Sequence, residues 1–533
     1  MLFNSYIFIF IFLPITLIGF HLIGSQGHHR VAISWLVGAS LFFYGWYNIA
    51  YLTLIIGSIL FNYAVGISLM DKHNKWVLFF GIATNILLLI YFKYTNFFVD
   101  NINIFIDNDF ILEKIILPLA ISFFTFQQIT YLVDAYRGDL RAYNFLHYCL
   151  FVTFFPQLIA GPIVHHKQMI PQFSNNMLYQ LRSKNLVIGL TIFILGLFKK
   201  VILADGISQY ATPVFVGADS GIPPSFFDAW GGSLSYFFQL YFDFSGYSDM
   251  AIGIARMFGI KLPINFYSPY KANNMVDFWR RWHITLSNVI RDYLYYPITL
   301  SLTRFAVLKR YSSFSLFTVA TIFPTMFTFF VVGLWHGAGW NFILFGIIHG
   351  VYIVIYTIWV KLKNSFSFVK IIKSRRISNF IARIITYLAV IISFVFFRAE
   401  SLDGAINILS GMAGLNGFVI FEHYFNYFNY FYGFGNYLSV IGMEFSEPLY
   451  FKGAQQVLEL LVLLIVVLFL PNTQQFMCNY YPALIIYDEA ILHPRYKWME
   501  WRANLFFAFF ISIMIFTMIY NAGAPSEFLY FQF

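Results

Sequence analysis

The sequence predicts an all-α integral membrane protein that crosses the bilayer about twelve times. Of its 533 residues, 59% are hydrophobic and only 11% are charged, whereas a soluble domain carries roughly 25% charged residues. Apolar runs of about 20 residues, the length that a spanning helix needs, recur from one end of the chain to the other. We therefore predict one polytopic membrane domain, residues 1–533, without a separate soluble domain.

The predicted spans follow one another along the chain and are mostly joined by short polar loops. The first has neither a basic segment before it nor a small-residue cleavage site after it, so we expect it to be retained rather than removed as a signal peptide. The spans are 2–24, 31–47, 51–70, 76–93, 114–135, 185–205, 225–258, 313–335, 341–360, 384–400, 455–470 and 503–522.

One further apolar segment, 145–164, is predicted to enter the membrane without crossing it. It contains Pro156, Gly161 and Pro162, and prolines interrupt helical hydrogen bonding. Broken backbone at membrane depth is tolerated only inside protein or beside a wet cavity. We therefore interpret the segment as re-entrant.

The distribution of charge predicts the orientation in the membrane. If the N-terminus is outside, the basic loops 259–312 and 361–383 fall on the cytoplasmic side, as the positive-inside rule expects. The aromatic segment 417–450 falls outside, and so does a loop with the acidic residues Asp100, Asp107, Asp109 and Glu113. Both termini are then extracytoplasmic. The net charge of +9 has the same origin, so the predicted partners include membrane lipids and exclude nucleic acid.

The segment from Gly333 to Gly350 holds two histidines in apolar surroundings. His336 lies in a glycine-rich turn between two predicted spans and is flanked by Trp335 and Trp340. An imidazole there could act as a general base on an alcohol, or it could bond a backbone carbonyl at a helix junction. The residues alone leave both roles open. For His349 we favour a role in helix packing.

A second segment, 277–297, is too charged to span and too aromatic for an ordinary loop. It could be an interfacial helix that anchors tryptophan and arginine at the headgroups. Alternatively, a half-buried helix could bring His283 towards the centre and offer arginines to an anionic donor. The residues alone favour the interfacial anchor. The candidate residues are Trp279, Arg280, Arg281, Trp282, His283 and Arg291.

A third segment, 241–249, places Asp243 and Asp249 in or near a span. Ionisable residues inside a membrane are functional candidates by default. These two could pair with the arginines of 277–297, coordinate a cation or move protons. We expect structural pairing.

Several recognised sites are missing from the sequence. It has no phosphate-binding loop, no H-E-x-x-H or C-x-x-C zinc motif and no nucleophile elbow. The two cysteines, Cys149 and Cys478, are far apart in sequence, which gives neither a disulfide framework nor a metal-binding spacing. We therefore predict no bound metal.

The chain resembles the membrane-bound O-acyltransferases, in particular the bacterial branch of alginate and peptidoglycan O-acetyltransferases. The D-alanyl transfer proteins of Gram-positive bacteria are more distant relatives. The resemblance rests on the stretches 121–131, 154–163, 241–249, 277–297, 333–350 and 396–399 and on the closing residues 529–533.

The resemblance implies a ring of helices around a thin central funnel, with the catalytic core in residues 120–400. It implies that His336 and His283 are the catalytic pair. It also implies acetyl-CoA as donor rather than a bound cofactor, a location in a bacterial inner membrane, a periplasmic acyltransferase partner and a polysaccharide acceptor. The other candidates named above (Trp279, Arg280, Arg281, Trp282, Arg291, Trp335, Trp340, Asp243 and His349) would bind the donor or support the site.

Two rival functions remain open at this stage. A transporter or flippase for a lipid-linked sugar would share the spans and buried charges, although such proteins often show inverted repeats and we see none here. A scaffold for a periplasmic complex would not need His336. The predicted spans place His336 at the outer end of 313–335 and His283 in an inward loop. We therefore predict that the 277–297 helix dips into the bilayer and that the outer surface is hollowed.

Overall fold

A computed structural model of the chain describes residues 1–106, 112–139, 143–365, 375–430, 433–484, 493–521, 526, 528 and 529. Asp107 and Asp109 of the predicted acidic loop, the middle of the 361–383 loop and the closing residues 530–533 lie outside the described residues.

The described chain is mostly helical, as the composition predicts. In its first part the helices are α1 (Leu13–Ser25), α2 (His29–Gly45), α3 (Tyr51–Lys72), α4 (Lys75–Ile106), α5 (Ile121–Arg137), α6 (Phe145–Thr153), α7 (Phe155–Leu158), α8 (His166–Phe173), α9 (Ser183–Phe198), α10 (Asp205–Asp219) and α11 (Phe226–Met257).

The second part continues with shorter helices around the 277–297 segment and then returns to long ones. These helices are α12 (Met275–Trp279), α13 (Ile284–Ile290), α14 (Tyr296–Leu308), α15 (Ser313–Phe317), α16 (Phe323–His336), α17 (Trp340–Ser365), α18 (Arg375–Arg398), α19 (Leu402–Met412), α20 (His423–Tyr430), α21 (Phe434–Val440), α22 (Ala454–Phe469), α23 (Thr473–Phe476) and α24 (Leu505–Tyr520).

Wider π-helical turns join several of these helices without a break. They are Phe8–Phe12 before α1, Lys199–Ala204 between α9 and α10, Arg291–Tyr295 between α13 and α14, and Thr318–Ile322 between α15 and α16. The predicted span 185–205 is therefore part of one longer helix that runs from 183 to 219.

Among the described residues, seven helices are long and apolar enough to cross a membrane. The predicted spans 31–47 and 114–135 correspond to the 17-residue helices α2 and α5, and 455–470 and 503–522 to the 16-residue helices α22 and α24. The number of about twelve crossings therefore stays a prediction.

Helix α11 forms the centre of the protein. Almost every residue from Asp228 to Met257 is buried, and its start is fixed by reciprocal hydrogen bonds between Ser225 and Asp228. The helix packs closely on α9 because glycines face each other there. A Cβ on Gly196 would lie 2.6 Å from the carbonyl oxygen of Gly246. Small residues allow this close approach in membrane proteins.

The predicted re-entrant segment is broken, as its prolines indicate. Helix α6 ends at Thr153, Phe154 is non-helical (φ −49°, ψ 106°), and Pro156 lies in the first turn of α7, where its missing N–H costs nothing. Nine residues of α6 span only about 14 Å, too short to cross. Residues 148–164 are all buried, so the broken backbone is enclosed by protein.

The aromatic segment 417–450 forms a small appendage. Two short parallel strands, β1 (Phe418–Ile420) and β2 (Met443–Phe445), pair with Phe418 opposite Met443. Helices α20 and α21 lie between them in sequence.

Candidate active site

A cavity of about 280 Å³ reaches His336. Its wall consists of the segment 116–123, which leads into α5, together with Tyr47, Lys93, Ile159, Trp335 and His336. Tyr47 lies just after α2, whose Tyr44 hydroxyl donates to the Leu119 carbonyl. The cavity therefore lies at the end of the bundle where α2 ends and α5 begins.

His336 is held at a tight junction between α16 and α17. Gly333 and Gly346 bring the two helices into backbone contact, because a Cβ on either would clash with the Phe342 or Phe329 carbonyl oxygen. Helix α16 ends at His336, and α17 starts four residues later. The imidazole packs edge to face on Phe397, with ring centres 5.1 Å apart.

His283 is fully buried at the start of α13. It has a left-handed backbone (φ 44°), and its Nδ1 lies 3.1 Å from the Asn265 side-chain oxygen. Asn265 is itself fixed, because its amide donates to Ser248 and its oxygen accepts from the Thr285 hydroxyl.

Trp335 brings the two histidines into one neighbourhood. Its ring centre lies 5.9 Å from that of His283 and 5.0 Å from that of His336. The two residues that the sequence separates by 53 positions therefore contact the same indole. Of these three residues, Trp335 and His336 line the cavity and His283 does not.

Two other candidates from the sequence are joined beside this pair. The Trp279 indole donates to Nδ1 of His349 over 3.2 Å, and both residues are buried. Trp282 packs face to face with Phe278 nearby. These aromatic residues fill the space between α12 and α17.

The arginine candidates and Trp340 lie away from the cavity wall. Arg280 is exposed, Arg281 pairs with Asp277 at 2.8 Å and Arg291 pairs with Asp292 at 2.8 Å. Trp340 is half-exposed and its indole donates to Asn101. The structure therefore brings His336, His283, Trp335, Trp279, Trp282 and His349 together but leaves these residues at the periphery.

The aspartates of 241–249 pair with lysines and not with the arginines of 277–297. Asp243 lies 2.8 Å from the Lys200 ammonium and Asp249 lies 2.6 Å from that of Lys199. The alternative that these aspartates pair with the arginines of 277–297 was wrong. Helix α11 packs along α9 and the π-helical turn that follows it, and both lysines lie in that turn.

Sequence reasoning missed Lys93. It lies in α4 with 8% of its surface exposed, and its ammonium donates to the Trp335 carbonyl. An ionisable residue inside an apolar run was the available signal. At the end of the predicted span 76–93, however, it looked like an ordinary lysine that reaches the interface.

Among the described residues, two groups of side chains have the donors for a metal ion. One is Asp134, His165 and His166, and the other is Cys478, His493 and Glu500. In the first, Lys167 lies 3.5 Å from Asp134 and Tyr293 donates to it, so hydrogen bonds already account for the cluster. In the second, hydrogen bonds from Asn479 and His493 lower the pKa of Glu500. The spacing of the cysteines could not reveal this group, because only one cysteine belongs to it and its members are 15 and 7 residues apart in sequence.

Comparison with known proteins identifies the family. The model of the MBOAT, membrane-bound O-acyltransferase family matches residues 36–397. The chain belongs to this family. This confirms the resemblance seen in the motifs and identifies the protein as an O-acyltransferase, which disfavours the flippase and scaffold hypotheses.

Individual relatives of this membrane-bound O-acyltransferase come from several bacteria. It is 42% identical to the peptidoglycan O-acetyltransferase of Helicobacter pylori, covering 78% of this chain and 80% of that protein. It is 37% identical to the probable alginate O-acetylase AlgI of Pseudomonas aeruginosa, covering 76% and 73%. The teichoic acid D-alanyltransferase of Streptococcus thermophilus is 29% identical, covering 60% and 72%.

Proposed function

We propose that this enzyme moves an acetyl group from cytoplasmic acetyl-CoA across a bacterial inner membrane to a hydroxyl on the other side. The observation that carries the proposal is the cavity whose wall includes His336. With the N- and C-termini outside, as the basic loops favour, this cavity opens to the extracytoplasmic face, where an acceptor would enter.

The acceptor is proposed to be a peptidoglycan-type or alginate-type polysaccharide. The names of the relatives that match more than three quarters of this chain support this choice. The group would pass to the polymer directly or through a serine of a periplasmic acyltransferase partner.

His336 is the proposed general base. Its imidazole takes the proton from the acceptor hydroxyl while the oxygen attacks the thioester carbonyl carbon. The carbon–sulfur bond then breaks, and the departing CoA thiolate takes the proton from the imidazolium. The acetyl ester, free CoA and neutral His336 result, so no external proton is consumed.

His283 is proposed to orient this centre through Trp335. The Asn265 side-chain oxygen can only accept a hydrogen bond, so Nδ1 of His283 carries the proton and Nε2 presents a lone pair. A neutral imidazole in this tautomer cannot donate to a carbonyl through Nε2. This geometry favours an orienting role over polarisation of the thioester. His349 would act likewise by fixing Trp279.

The donor is proposed to approach from the side of the basic 259–312 region. Arg280 and Arg291 are exposed and could attract the phosphates of CoA, to which guanidinium groups are well suited. In this proposal, a structural role is left for the two buried ion pairs, Lys199–Asp249 and Lys200–Asp243.

The test is transfer of label from radioactive acetyl-CoA by the full-length protein in nanodiscs, with alginate and peptidoglycan fragments as acceptors. Wild type should release CoA and label an acceptor. His336→Gln, which keeps the size of the side chain, should lose both by about 10²–10⁴-fold. The control is His28→Gln, since His28 is exposed. Equal turnover by His336→Gln and wild type would refute the assignment of the base.

A further inference from the structure

Lys93 lies deep in the protein, on a helix that is otherwise suited to the membrane. It is 18 residues from Lys75, the start of α4, which is about 27 Å along the helix axis. Its surface is 8% exposed. A buried ammonium in such a helix is unfavourable unless a partner or a function uses it, and among the described residues no carboxylate pairs with it.

Lys93 and its neighbour Tyr94 hold the end of α16. The Lys93 ammonium donates to the Trp335 carbonyl and the Tyr94 hydroxyl donates to the Leu334 carbonyl. Carbonyls at a helix C-terminus have no partner within the helix and carry partial negative charge. Both side chains therefore fix the turn that ends in His336.

Only one of the two neighbours also reaches the cavity. Lys93 lines its wall together with His336, whereas Tyr94 does not. An ammonium has three N–H groups, and the bond to Trp335 uses one of them. The described residues of the wall include no acidic side chain, so no carboxylate there neutralises the Lys93 ammonium.

We propose that Lys93 stabilises the negative charge that forms on the thioester oxygen during acyl transfer. This rests on the proposed function of His336. Attack by the acceptor oxygen moves the carbonyl electron pair onto the carbonyl oxygen, and that oxyanion faces the Lys93 ammonium. When the pair returns, the carbon–sulfur bond breaks and the charge leaves with the thiolate. A fixed cation beside the reacting oxygen suits this step, and His283, whose Nδ1 proton is directed to Asn265, does not supply it.

The experiment compares four variants with wild type in nanodiscs, using acetyl-CoA and the acceptor fragments. Lys93→Met removes the charge, Lys93→Gln removes the charge but keeps an N–H donor for Trp335, and Lys93→Arg keeps both. Tyr94→Phe is the matched control, because it removes a bond to the same helix end but leaves the cavity unchanged. kcat, KM for each substrate and the thermal midpoint are measured for all.

We expect Lys93→Met and Lys93→Gln to lower kcat by about 10²–10³-fold, the usual loss when an oxyanion donor is removed. KM for acetyl-CoA should stay within about threefold, since the interaction forms only in the transition state. Lys93→Arg should recover at least tenfold of the loss, and Tyr94→Phe should keep kcat within about tenfold of wild type.

Three results would overturn the proposal. Equal losses in Lys93→Gln and Tyr94→Phe would assign Lys93 to positioning alone. A higher KM for the acceptor with unchanged kcat would mean that Lys93 binds an anionic group of the acceptor. Full activity of Lys93→Gln would remove any role.

Failure of the proposed function can be distinguished from failure of the Lys93 proposal, because wild type itself would then release no CoA. In that event the same variants are compared by the O-acetyl content of polysaccharide in cells, which does not depend on the donor. If the Lys93→Met protein does not accumulate, the comparison of Lys93→Gln with Lys93→Arg still tests whether the charge at this position is needed for activity.

Discussion

Lys93 and Lys200 are both lysines buried in membrane-spanning helices, and their surroundings differ. The Lys200 ammonium lies 2.8 Å from Asp205 and 2.8 Å from Asp243, so its charge is balanced inside the bundle. Lys93 bonds the carbonyl of Trp335 and faces the cavity beside His336. One charge is enclosed by carboxylates, and the other lies where a substrate would enter.

In a protein with few charges, this difference distinguishes a lysine with a structural role from a lysine that is available for chemistry. A buried ion pair is stable only when its members satisfy each other, and removing one member leaves the other exposed to the low dielectric. A buried cation without a counter-ion can instead interact with a negative charge that develops on the substrate during a reaction. We therefore expect substitutions at the Lys200 network to change stability and those at the cavity to change kcat.

The largest effect on stability is expected for Lys200→Met. The variant leaves Asp243 buried without its cation, which should lower the free energy of unfolding by about 3–5 kcal/mol. Thermal unfolding of the purified protein in detergent measures this. Either of two results would contradict the contrast between the two lysines. In one, Lys200→Met is as stable as wild type. In the other, the variant stays folded but has lost its activity.

Asn265→Ala should have an intermediate effect, on kcat. It removes the acceptor for His283 Nδ1, and a lost buried hydrogen bond of about 1–3 kcal/mol corresponds to a decrease of about 5- to 150-fold. Steady-state kinetics of acetyl transfer provide the measurement. Ser248→Ala is the control, because Ser248 accepts the hydrogen bond from the Asn265 amide. An equal decrease in both variants would argue against a specific role of the Asn265–His283 bond.

The smallest effect is expected for Arg291→Gln. Arg291 and Asp292 form a pair whose side chains are 49% and 47% exposed, and such pairs contribute about 0–1 kcal/mol. The thermal midpoint should therefore barely change, while KM for acetyl-CoA should rise about two- to fivefold through loss of a phosphate contact. An unchanged KM would remove Arg291 from the donor site.

The motifs predicted the histidines of the candidate site, but not the other residues that line its cavity. His336 and His283 could be named because the motifs around them resemble those of the family, and the structure brings both onto Trp335. The site is built partly from outside the predicted core 120–400, because Tyr47 and Lys93 also line the cavity. Sequence shows that a lysine lies in an apolar run. It does not show whether the side chain turns to the interface or to a cavity.

The helices were predictable from hydropathy where they are long and apolar, such as α3 and α17. Hydropathy failed where tertiary packing sets the outcome. Helix α5 begins only at Ile121, because the apolar residues before it form part of the cavity wall rather than a helical turn. The choice of lysines as partners of Asp243 and Asp249 likewise depends on the crossing of α9 and α11.

The most direct test of the account is transfer across a closed membrane. The protein is reconstituted into sealed vesicles of one orientation, with radioactive acetyl-CoA on the side of the 259–312 region and polysaccharide fragments on the other. We expect the label on the fragments and CoA retained with the donor, in wild type but not in His336→Gln. Label that moves only when donor and acceptor share one side, or moves equally in His336→Gln, would contradict the account.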